Sequence, residues 1–394
     1  MRSVYLDNNA TTRILPEVLE AMKPYFEEKF GNASSIYSRG REAHAALKTA
    51  RQSVAKLLGC ETSEIVFTTG GTEGDNLAIL GMISPGDRII TSAIEHSAVL
   101  NCCSYLGKLG CQVTYLPVNG NGHIDPDDVR KALRTKAKLI SVMLANNETG
   151  VLQPVESVGK LAAKAGVCFH VDAVQAAGKV PIDVRRIGCD LLTISGHKMH
   201  AQQGTGALFV KRGTILRPLL HGGHQEHGLR PGTENVPGII GFGRACELAI
   251  AGLKDGSMER IGRWRDRFEA GVVKEIDAIG INGVFAGRVP NTSNIYFDYI
   301  GGEALVIALD EKGVSVSAGA ACSAGAREPS HVMVAMGLSP ERARASLRFS
   351  FGKQNSAEDV DYLLDILPDA VQRLRNLSPL YKRSESKNVV SSHK

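Results

Sequence analysis

The sequence predicts an α/β protein with a large, mainly parallel seven-stranded sheet and a second, smaller α+β domain. Short apolar runs alternate with helix-period stretches from about residue 60 to residue 210, and this alternation is typical of a sheet covered by helices on both faces. The chain has 394 residues, which is more than the roughly 250–300 residues that one hydrophobic core usually accommodates. We therefore expect the sheet in one large domain and the remaining elements in another.

Two helices are predicted before the sheet. Pro16 suits the first turn of a helix that continues to about Glu28, and apolar residues at every third or fourth position predict a longer helix over 41–58. Apolar runs then predict strands at 65–67, 88–90, 113–116, 139–144, 167–171, 191–194 and 206–210. Further helices are expected over 237–253 and 259–276, with strands near 294–297 and 347–351. A capping box of Ser356 and Asp359 starts the last helix.

The domain boundaries follow from a polar break, Lys254-Asp255-Gly256-Ser257, after the sheet region. We expect a large α/β domain over 16–254 and a small α+β domain over 255–377. Residues 1–15 are predicted to be an N-terminal segment associated with the small domain. Residues 378–394 lack an apolar period, which predicts a disordered tail.

Composition excludes several classes of function. The net charge of +5 is small for this length and shows no basic block, so we expect no nucleic-acid partner. No run approaches the ~20 apolar residues of a membrane span, and the first residues lack a signal-peptide core. We therefore predict a cytoplasmic protein without a membrane partner. The eight cysteines include no CxxC pair, which argues against a disulfide framework or a zinc ribbon.

Asp172 and Lys198 each follow an apolar run that has the pattern of a buried parallel strand. Ligands of open α/β sheets bind at the carboxyl ends of the strands, so we expect both side chains in one crevice. Pyridoxal phosphate requires a lysine that binds its aldehyde as a Schiff base and an acid that keeps its pyridine nitrogen protonated. The pair is therefore a candidate site for this cofactor, and the rest of the chain must provide the other groups.

A phosphate-binding segment is predicted after the first strand of the sheet. Gly71 and Thr72 lie in TTGGTEG (68–74), which opens a helix and exposes backbone N–H groups with a hydroxyl. Ser195 and His197, beside Lys198, could complete the phosphate site. A simple strand-to-helix turn is the open alternative, because the segment is neither a Walker P-loop nor a GxGxxG motif.

Further polar side chains follow other predicted strands of the sheet. His96 comes shortly after one strand, where an imidazole can stack on a cofactor ring and exchange protons near neutral pH. Asn147 follows another strand, and Gln175 lies three residues beyond Asp172. Each residue alone could be an ordinary loop residue, but together they place ligand-type groups at five consecutive strand ends.

Two residues of the predicted small domain are candidates for chemistry. Cys322 lies in a run of small residues, 315–326, that cannot pack a core and predicts an accessible loop; its thiol is either a nucleophile or an incidental surface cysteine. Arg348 lies inside an apolar strand and needs an anionic partner, which is either a substrate carboxylate or a structural ion pair. The histidines of HGGHQEH (221–227) lack helical spacing and companion ligands, so we predict no metal site.

These residues lie in motifs that resemble the cysteine desulfurases of the NifS/IscS type, which are class V, fold-type I pyridoxal-phosphate enzymes. The motifs are YLDNNATT, FTTGGTEGDNLAI, EHSAV, NNETGVLQP, HVDAVQAAGK, SGHKMH, GLRPGTENVPGIIG, AGAACSAG, EPSHV and LRFSFG. SGHK together with HVDAVQ is highly specific for the superfamily, and the resemblance extends almost from end to end. It implies a fold-type I transferase fold.

The resemblance also implies a role for each candidate residue. Lys198 is the Schiff-base lysine, Asp172 the partner of the pyridine nitrogen, Gln175 the partner of the ring hydroxyl and His96 the stacking and catalytic histidine. The phosphate ligands are Gly71, Thr72, Ser195, His197 and, from the neighbouring subunit of a homodimer, Thr233. Asn147 and Arg348 hold the substrate, Asn147 also contacts the cofactor, and Cys322 receives the sulfur.

The activity implied is removal of sulfur from L-cysteine, which yields L-alanine and a persulfide on Cys322 for an acceptor such as an iron–sulfur scaffold or a tRNA-thiolation protein. A selenocysteine lyase, a class V aminotransferase and a sulfur carrier that binds metal through cysteines are the alternatives. The sequence departs from the family pattern at two places. Ala201-Gln202-Gln203 stands where the family has Gly-Pro-Lys, and His227 replaces an arginine.

Overall fold

The computed structural model describes residues 2–318, 328–379 and 381. Cys322 and most of the predicted tail lie outside these described residues. The strands are β1 Val4–Tyr5, β2 Ile65–Thr68, β3 Arg88–Ser92, β4 Gln112–Leu116, β5 Leu139–Met143, β6 Cys168–Asp172, β7 Leu191–Ser195, β8 Gly206–Val210, β9 Ile279–Ile281, β10 Thr292–Phe297, β11 Val314–Ser315, β12 Ser317–Ala318 and β13 Ser346–Ser350. The helices are α1 Pro16–Met22, α2 Pro24–Glu27, α3 Ser38–Leu58, α4 Gly71–Met82, α5 Ser97–Lys108, α6 Pro126–Ala132, α7 Val155–Ala165, α8 Val184–Ile187, α9 Val236–Gly252, α10 Ser257–Glu275, α11 Gly302–Asp310, α12 His331–Ala335, α13 Pro340–Arg344 and α14 Ala357–Leu377.

The seven strands β2 to β8 form one sheet in the order β2-β8-β7-β6-β5-β3-β4. Its strands run in one direction except β8, which is antiparallel to both β2 and β7. Every residue of β5 and β7 is buried, because helices cover both faces of a sheet built by strand–helix crossovers. The prediction of a large, mainly parallel seven-stranded sheet is confirmed, and each predicted strand lies within two residues of an observed one.

The long helix α3 packs against α9 on one side of the sheet. Gly243 of α9 permits the close approach, because a Cβ atom at this position would lie only 2.6 Å from the Cα atom of Ala50. The predicted periodicity of α3 is correct: Ala43, Leu47 and Val54 are buried. α3 and α9 thereby fix the chain segment that leads out of the sheet.

A second sheet, in the order β12-β13-β10-β9, follows in the chain. Its apolar side packs with α10, α11 and α14 around Phe268, Phe297 and Phe349, which are fully buried. The N-terminal strand β1 pairs in parallel with β11, so residues 2–6 lie beside elements from the end of the chain. The capping box of Ser356 and Asp359 at the start of α14 is confirmed. The division into domains at residues 15, 254 and 377 stays a prediction.

One predicted helix is wrong in its extent. The helix expected from Pro16 to Glu28 is broken at Lys23 into α1 and α2. Pro24 has no backbone N–H, and its ring would clash with a preceding helical carbonyl, so it ends one helix and begins the next. Pro24 was the sequence signal for this break.

Two further findings concern the described residues only. No single helix among them is long and apolar enough to cross a membrane; α9 and α10 reach the length and composition of a span together but are bent by 72°. Within residues 2–318, 328–379 and 381, we find no group of three or more His, Cys, Asp or Glu side chains that could hold a metal ion.

Candidate active site

A cavity of about 270 Å³ lies at the carboxyl ends of β5, β6 and β7, next to β13. It brings together ten of the predicted site residues: Gly71, Thr72, His96, Asn147, Asp172, Gln175, Ser195, His197, Lys198 and Arg348. Thr233 does not line it and lies exposed in the loop before α9. Cys322 lies outside the described residues. The cavity is therefore the candidate active site.

The Lys198 side chain is held by the N-terminal segment of the chain. β7 ends at Ser195, and a 3₁₀ turn over Gly196–Lys198 follows. The Lys198 Nζ atom donates hydrogen bonds to the carbonyl oxygens of Asn9 (2.6 Å) and Ala10 (2.7 Å). Thr12 donates its hydroxyl to the His197 carbonyl at 2.8 Å. The segment before α1 thus fixes the turn that presents the lysine.

Asp172, which is buried, and His96, which is half-buried, are two titratable groups of the cavity. Burial raises the pKa of Asp172, and the charges of His96 and Lys198 partly offset this effect. Burial lowers the pKa of His96, whose Nδ1 atom accepts a hydrogen bond from the Ala98 N–H at the start of α5. In the neutral imidazole the proton therefore lies on Nε2. A buried carboxylate at Asp172 requires a nearby cation, such as a protonated ring nitrogen.

The part of the cavity around Gly71, Ser195 and His197 is suited to an anion. The first residue of the twelve-residue helix α4 is Gly71, where a Cβ atom would lie 2.8 Å from Val174 Cγ2, so only glycine fits without a shift. The Ser195 hydroxyl is buried and has no hydrogen-bond partner among the described residues. Burial and the Lys198 charge lower the pKa of His197 to about 4. Backbone N–H groups at a helix start and an unpaired hydroxyl can bind a phosphate.

Arg348, in β13, forms the wall next to Asn147. Its Nη2 atom donates to Asp7 Oδ1 at 2.7 Å and its Nη1 atom to the Asn147 carbonyl at 2.9 Å. Its Nε atom is buried and has no hydrogen-bond partner among the described residues, and the same is true of Asn147 Oδ1. The structural ion pair left open by the sequence therefore exists, yet Arg348 and Asn147 keep polar atoms for a further ligand.

The family profile described as Aminotransferase class-V matches residues 4–363. The chain belongs to the class V aminotransferase family. It is 48% identical to a protein named cysteine desulfurase IscS from Dictyoglomus turgidum, over 97% of this chain and 98% of the relative. It is 46% identical to a protein named cysteine desulfurase NifS from Azotobacter vinelandii, over 97% and 96%. A solved structure titled "NIFS-LIKE PROTEIN" has a TM-score of 0.88 and 37% identity, over 95% of this chain and 100% of that one. The predicted recognition is confirmed.

Enzymes of the class V aminotransferase family use pyridoxal phosphate. The residues of this cavity fit that group. A phosphate requires donors such as the N-terminus of α4 and the Ser195 hydroxyl, which is unpaired within residues 2–318, 328–379 and 381. A pyridine nitrogen requires an acid such as Asp172. A carbonyl-reactive amine is present in Lys198, which lines the same cavity.

The sequence interpretation missed four residues that surround this class V site. Asn9 and Asp75 line the cavity, and Lys179 hydrogen-bonds to Gln175. Glu95 lies fully buried beside His96; its Oε1 atom accepts from Ser92 Oγ at 2.5 Å and from the Met143 N–H at 3.0 Å, and burial raises its pKa to about 8. A lysine in the apolar run 173–182 and an acid next to His96 were the available signals.

The two departures from the family pattern have structural counterparts. In the first, Gln203 donates to the Thr11 hydroxyl at 3.2 Å, and the same hydroxyl lies 3.1 Å from His197 Nδ1. In the second, His227 and its neighbour Glu226 have left-handed backbone angles, with φ values of 58° and 48°. Glu226 is held by the Arg51 guanidinium and the Phe67 N–H. The substituted loop is therefore anchored by an ion pair.

His170 makes folding stability depend on pH. Its ring lies fully buried between Ser141 Oγ (2.9 Å) and Thr193 Oγ1 (3.0 Å), and burial lowers its pKa to about 3. Below pH 6.5 the unfolded chain therefore binds a proton that the folded protein rejects. As the pH is lowered from about 6.5 to 3, the free energy of unfolding of the apoprotein should decrease. His170 should contribute up to ~1.4 kcal/mol per pH unit to this decrease.

Urea unfolding of the apoprotein at several pH values measures this contribution. His170→Asn should flatten the dependence of the unfolding free energy on pH below 6.5, whereas His44→Asn, at an exposed histidine in α3, should leave it unchanged. Asp75, whose Oδ1 atom lies 3.6 Å from His170 Nε2, has a carboxyl pKa that burial raises well above its usual value, so it acts in the opposite direction. Equal slopes in the wild type and His170→Asn would contradict the prediction.

Proposed function

We propose that this chain is a cysteine desulfurase that removes sulfur from L-cysteine with the help of pyridoxal phosphate and passes it to an acceptor. The observation that carries the proposal is the single cavity shared by Lys198, Asp172 and Arg348. An amine, an acid and a carboxylate-binding guanidinium are the groups that amino-acid chemistry on this cofactor requires. The near full-length relatives named cysteine desulfurase support L-cysteine as the substrate.

The cofactor would be held by residues at several strand ends. Lys198 would bind the cofactor covalently, and Asp172 would pair with the pyridine nitrogen. The ring hydroxyl would be bound by Gln175, and the ring would stack on His96. Gly71, Thr72, Ser195 and His197 would bind the phosphate, with Thr233 of a second copy of the chain. The Ser195 hydroxyl, which has no partner in the part of the chain that the structure describes, supports the phosphate assignment.

Bound pyridoxal phosphate withdraws electrons from the α-carbon of an amino acid and so makes its α-proton acidic. Arg348 would hold the substrate carboxylate with its Nε N–H group, which lacks a partner among the described residues, and Asn147 would do so with its side-chain amide nitrogen. The Lys198 amine would accept the α-proton and return a proton to the carbon skeleton. His96, neutral with its proton on Nε2, would be a second group for proton transfer in the same cavity.

The Cys322 thiolate would attack the substrate sulfur. A sulfur–sulfur bond forms, the carbon–sulfur bond breaks, and its electrons remain on the former β-carbon, which takes a proton to become the methyl group of alanine. L-cysteine and the enzyme thiol thus become L-alanine and an enzyme persulfide, with the sulfur oxidised and the carbon reduced. Two equivalents of an external thiol then release sulfide and restore Cys322.

Product analysis tests the proposed reaction. L-cysteine and a thiol reductant should yield alanine and sulfide in equal amounts, with no oxo acid. An oxo acid in place of sulfide would instead support the aminotransferase reading. L-selenocysteine assayed in parallel tests for a selenocysteine lyase, because such an enzyme would use it while leaving L-cysteine unchanged.

Substitution of Arg348 distinguishes its ion pair with Asp7 from its proposed contact with the substrate carboxylate. Arg348→Lys keeps a positive charge for Asp7 but loses the planar guanidinium that can bind a carboxylate through two N–H groups. We expect KM for L-cysteine to rise by roughly 10- to 100-fold, as for a charged hydrogen bond, with a smaller change in kcat. Steady-state sulfide release measures both constants.

Arg375→Lys provides the matched control, because Arg375, in the last helix, is also buried but pairs with Asp277, away from the cavity. It should lower stability without raising KM. A stability loss with unchanged KM in Arg348→Lys would mean that Arg348 serves only the Asp7 ion pair.

Two partners complete the proposal. The first is a second copy of the chain, since Thr233 is exposed and lies outside the cavity of its own subunit, and large apolar side chains such as Ile36 (89% exposed) face outward. The second is a sulfur acceptor, such as an iron–sulfur scaffold protein. The mass of the purified protein in solution tests the first, and transfer of labelled sulfur from Cys322 tests the second.

A further inference from the structure

We propose that Lys179 is a positioning residue for the cofactor: its amine holds the Gln175 side-chain amide with the amide nitrogen available to the ring hydroxyl of pyridoxal phosphate. The inference rests on the proposed function, because it assumes that Gln175 meets that cofactor. Lys179 itself does not line the cavity, whereas Gln175 does. Its effect on the cofactor therefore acts through Gln175.

The hydrogen bonds of the Gln175 amide define its orientation. Lys179 Nζ donates to Gln175 Oε1 at 2.8 Å, while Gln175 Nε2 donates to the Asn9 carbonyl at 2.9 Å. An amide nitrogen has two N–H groups, so one remains beyond the bond to Asn9. If the Gln175 amide were flipped, its nitrogen would face Lys179 Nζ, and two hydrogen-bond donors would then lie against each other. The lysine therefore selects the orientation that presents an N–H group.

Lys179 also fixes the segment that binds Lys198. Its Nζ atom donates to Asn9 Oδ1 at 2.8 Å, and this oxygen accepts a second bond from Asn291 Nδ2 at 3.0 Å. The Asn9 carbonyl in turn accepts the bond from Lys198. One buried amine thus connects Gln175, which borders the cavity, with the residue that receives the cofactor lysine.

The surroundings of Lys179 favour this function over a structural ion pair. Its side chain is 8% exposed, and among the described residues no carboxylate lies within ion-pair distance of its Nζ atom. Burial lowers its pKa well below the ordinary value, and the charges of Lys198 and Arg348 lower it further. A neutral amine still carries two N–H groups, which match its two acceptors, so the arrangement survives loss of the charge.

A double-mutant cycle on cofactor affinity tests the inference. Apoprotein is prepared from the holoenzyme and titrated with pyridoxal phosphate, and Kd is read from the visible absorbance. Lys179→Met and Gln175→Ala should each weaken binding about tenfold, and the double variant should be weaker than Gln175→Ala alone by far less than a further tenfold, the remainder being the part of the effect that Lys179 exerts through Asn9. Lys353→Met, which removes another partly buried lysine that bonds to the Leu248 carbonyl, should leave Kd unchanged.

The outcomes separate the inference from the proposed function. If the increases in Kd caused by Lys179→Met and by Gln175→Ala multiply in the double variant, the inference is overturned. It is also overturned if Lys179→Met lowers the unfolding temperature of the apoprotein but leaves Kd unchanged. Wild-type apoprotein that binds no pyridoxal phosphate would overturn the proposed function instead. Should Lys179→Met fail to fold, Gln175→Glu keeps an acceptor for Lys179 but removes the N–H donor. It should fold and bind the cofactor about tenfold more weakly, and an unchanged Kd would contradict the inference.

Discussion

Lys198→Ala should abolish covalent attachment of the cofactor and lower sulfide release by at least ~10⁴-fold. The substitution removes both the amine that binds the cofactor and the base for the α-proton, and a positioned general base alone contributes roughly 10²–10⁴ in rate. Borohydride reduction followed by peptide mass analysis shows which lysine carries the cofactor. The measurement discriminates between Lys198 and Lys179, the buried amine nearby.

Lys211→Ala is the control for this experiment, because Lys211 pairs with Asp190 at the far end of β8 from the cavity. It should keep both the labelled peptide and the activity. A cofactor that remains covalently bound in Lys198→Ala, or a label on another lysine of the wild type, would contradict the assignment of Lys198.

Cys322→Ser should keep the cofactor but lose persulfide formation and sulfide release, by roughly 10³-fold or more, since a hydroxyl is a far weaker nucleophile toward sulfur than a thiolate. The seven described cysteines are poor alternatives: Cys111 is buried, and the other six have raised pKa values. Burial raises the pKa of Cys60, of Cys102 and of Cys168 to about 12, and it raises the pKa of Cys103, Cys189 and Cys246 as well.

Cys60→Ser is the matched control, because Cys60 is only partly buried yet its pKa remains high. It should release sulfide at the wild-type rate. Trapping with an alkylating reagent should find the persulfide on Cys322 in the wild type and in Cys60→Ser. Normal sulfide release by Cys322→Ser would remove this residue from the mechanism.

Much of the fold could be predicted because local patterns determine it. The strands β2 to β8 are short apolar runs separated by helix-period segments, and such runs need no knowledge of distant contacts. The pairing of Val4–Tyr5 with Val314–Ser315 could not be predicted in this way. It joins residues more than 300 positions apart, and a two-residue strand has no periodicity of its own.

The same difference between local patterns and distant contacts explains which site residues could be predicted. Asp172 and Ser195 end buried strands and Lys198 lies in the turn after one, and the rule that ligands bind at the carboxyl ends of a sheet brings them together. Asn9 enters through its backbone carbonyl, which any residue type possesses, so the sequence gives no sign of it. Lys179 was missed because a buried lysine that has no carboxylate partner among the described residues has no characteristic spacing, and its position in an apolar run was the one signal.

The most direct test of the central claim is the visible absorption spectrum of the purified protein, recorded before and after addition of L-cysteine, with sulfide assayed in the same sample. We expect an absorption band from the cofactor on Lys198, a shift of that band with L-cysteine, and sulfide in amounts that grow with each turnover. A band that shifts without sulfide would contradict desulfuration, and a protein with no band after incubation with pyridoxal phosphate would contradict the assignment of Lys198 and Asp172 as its site.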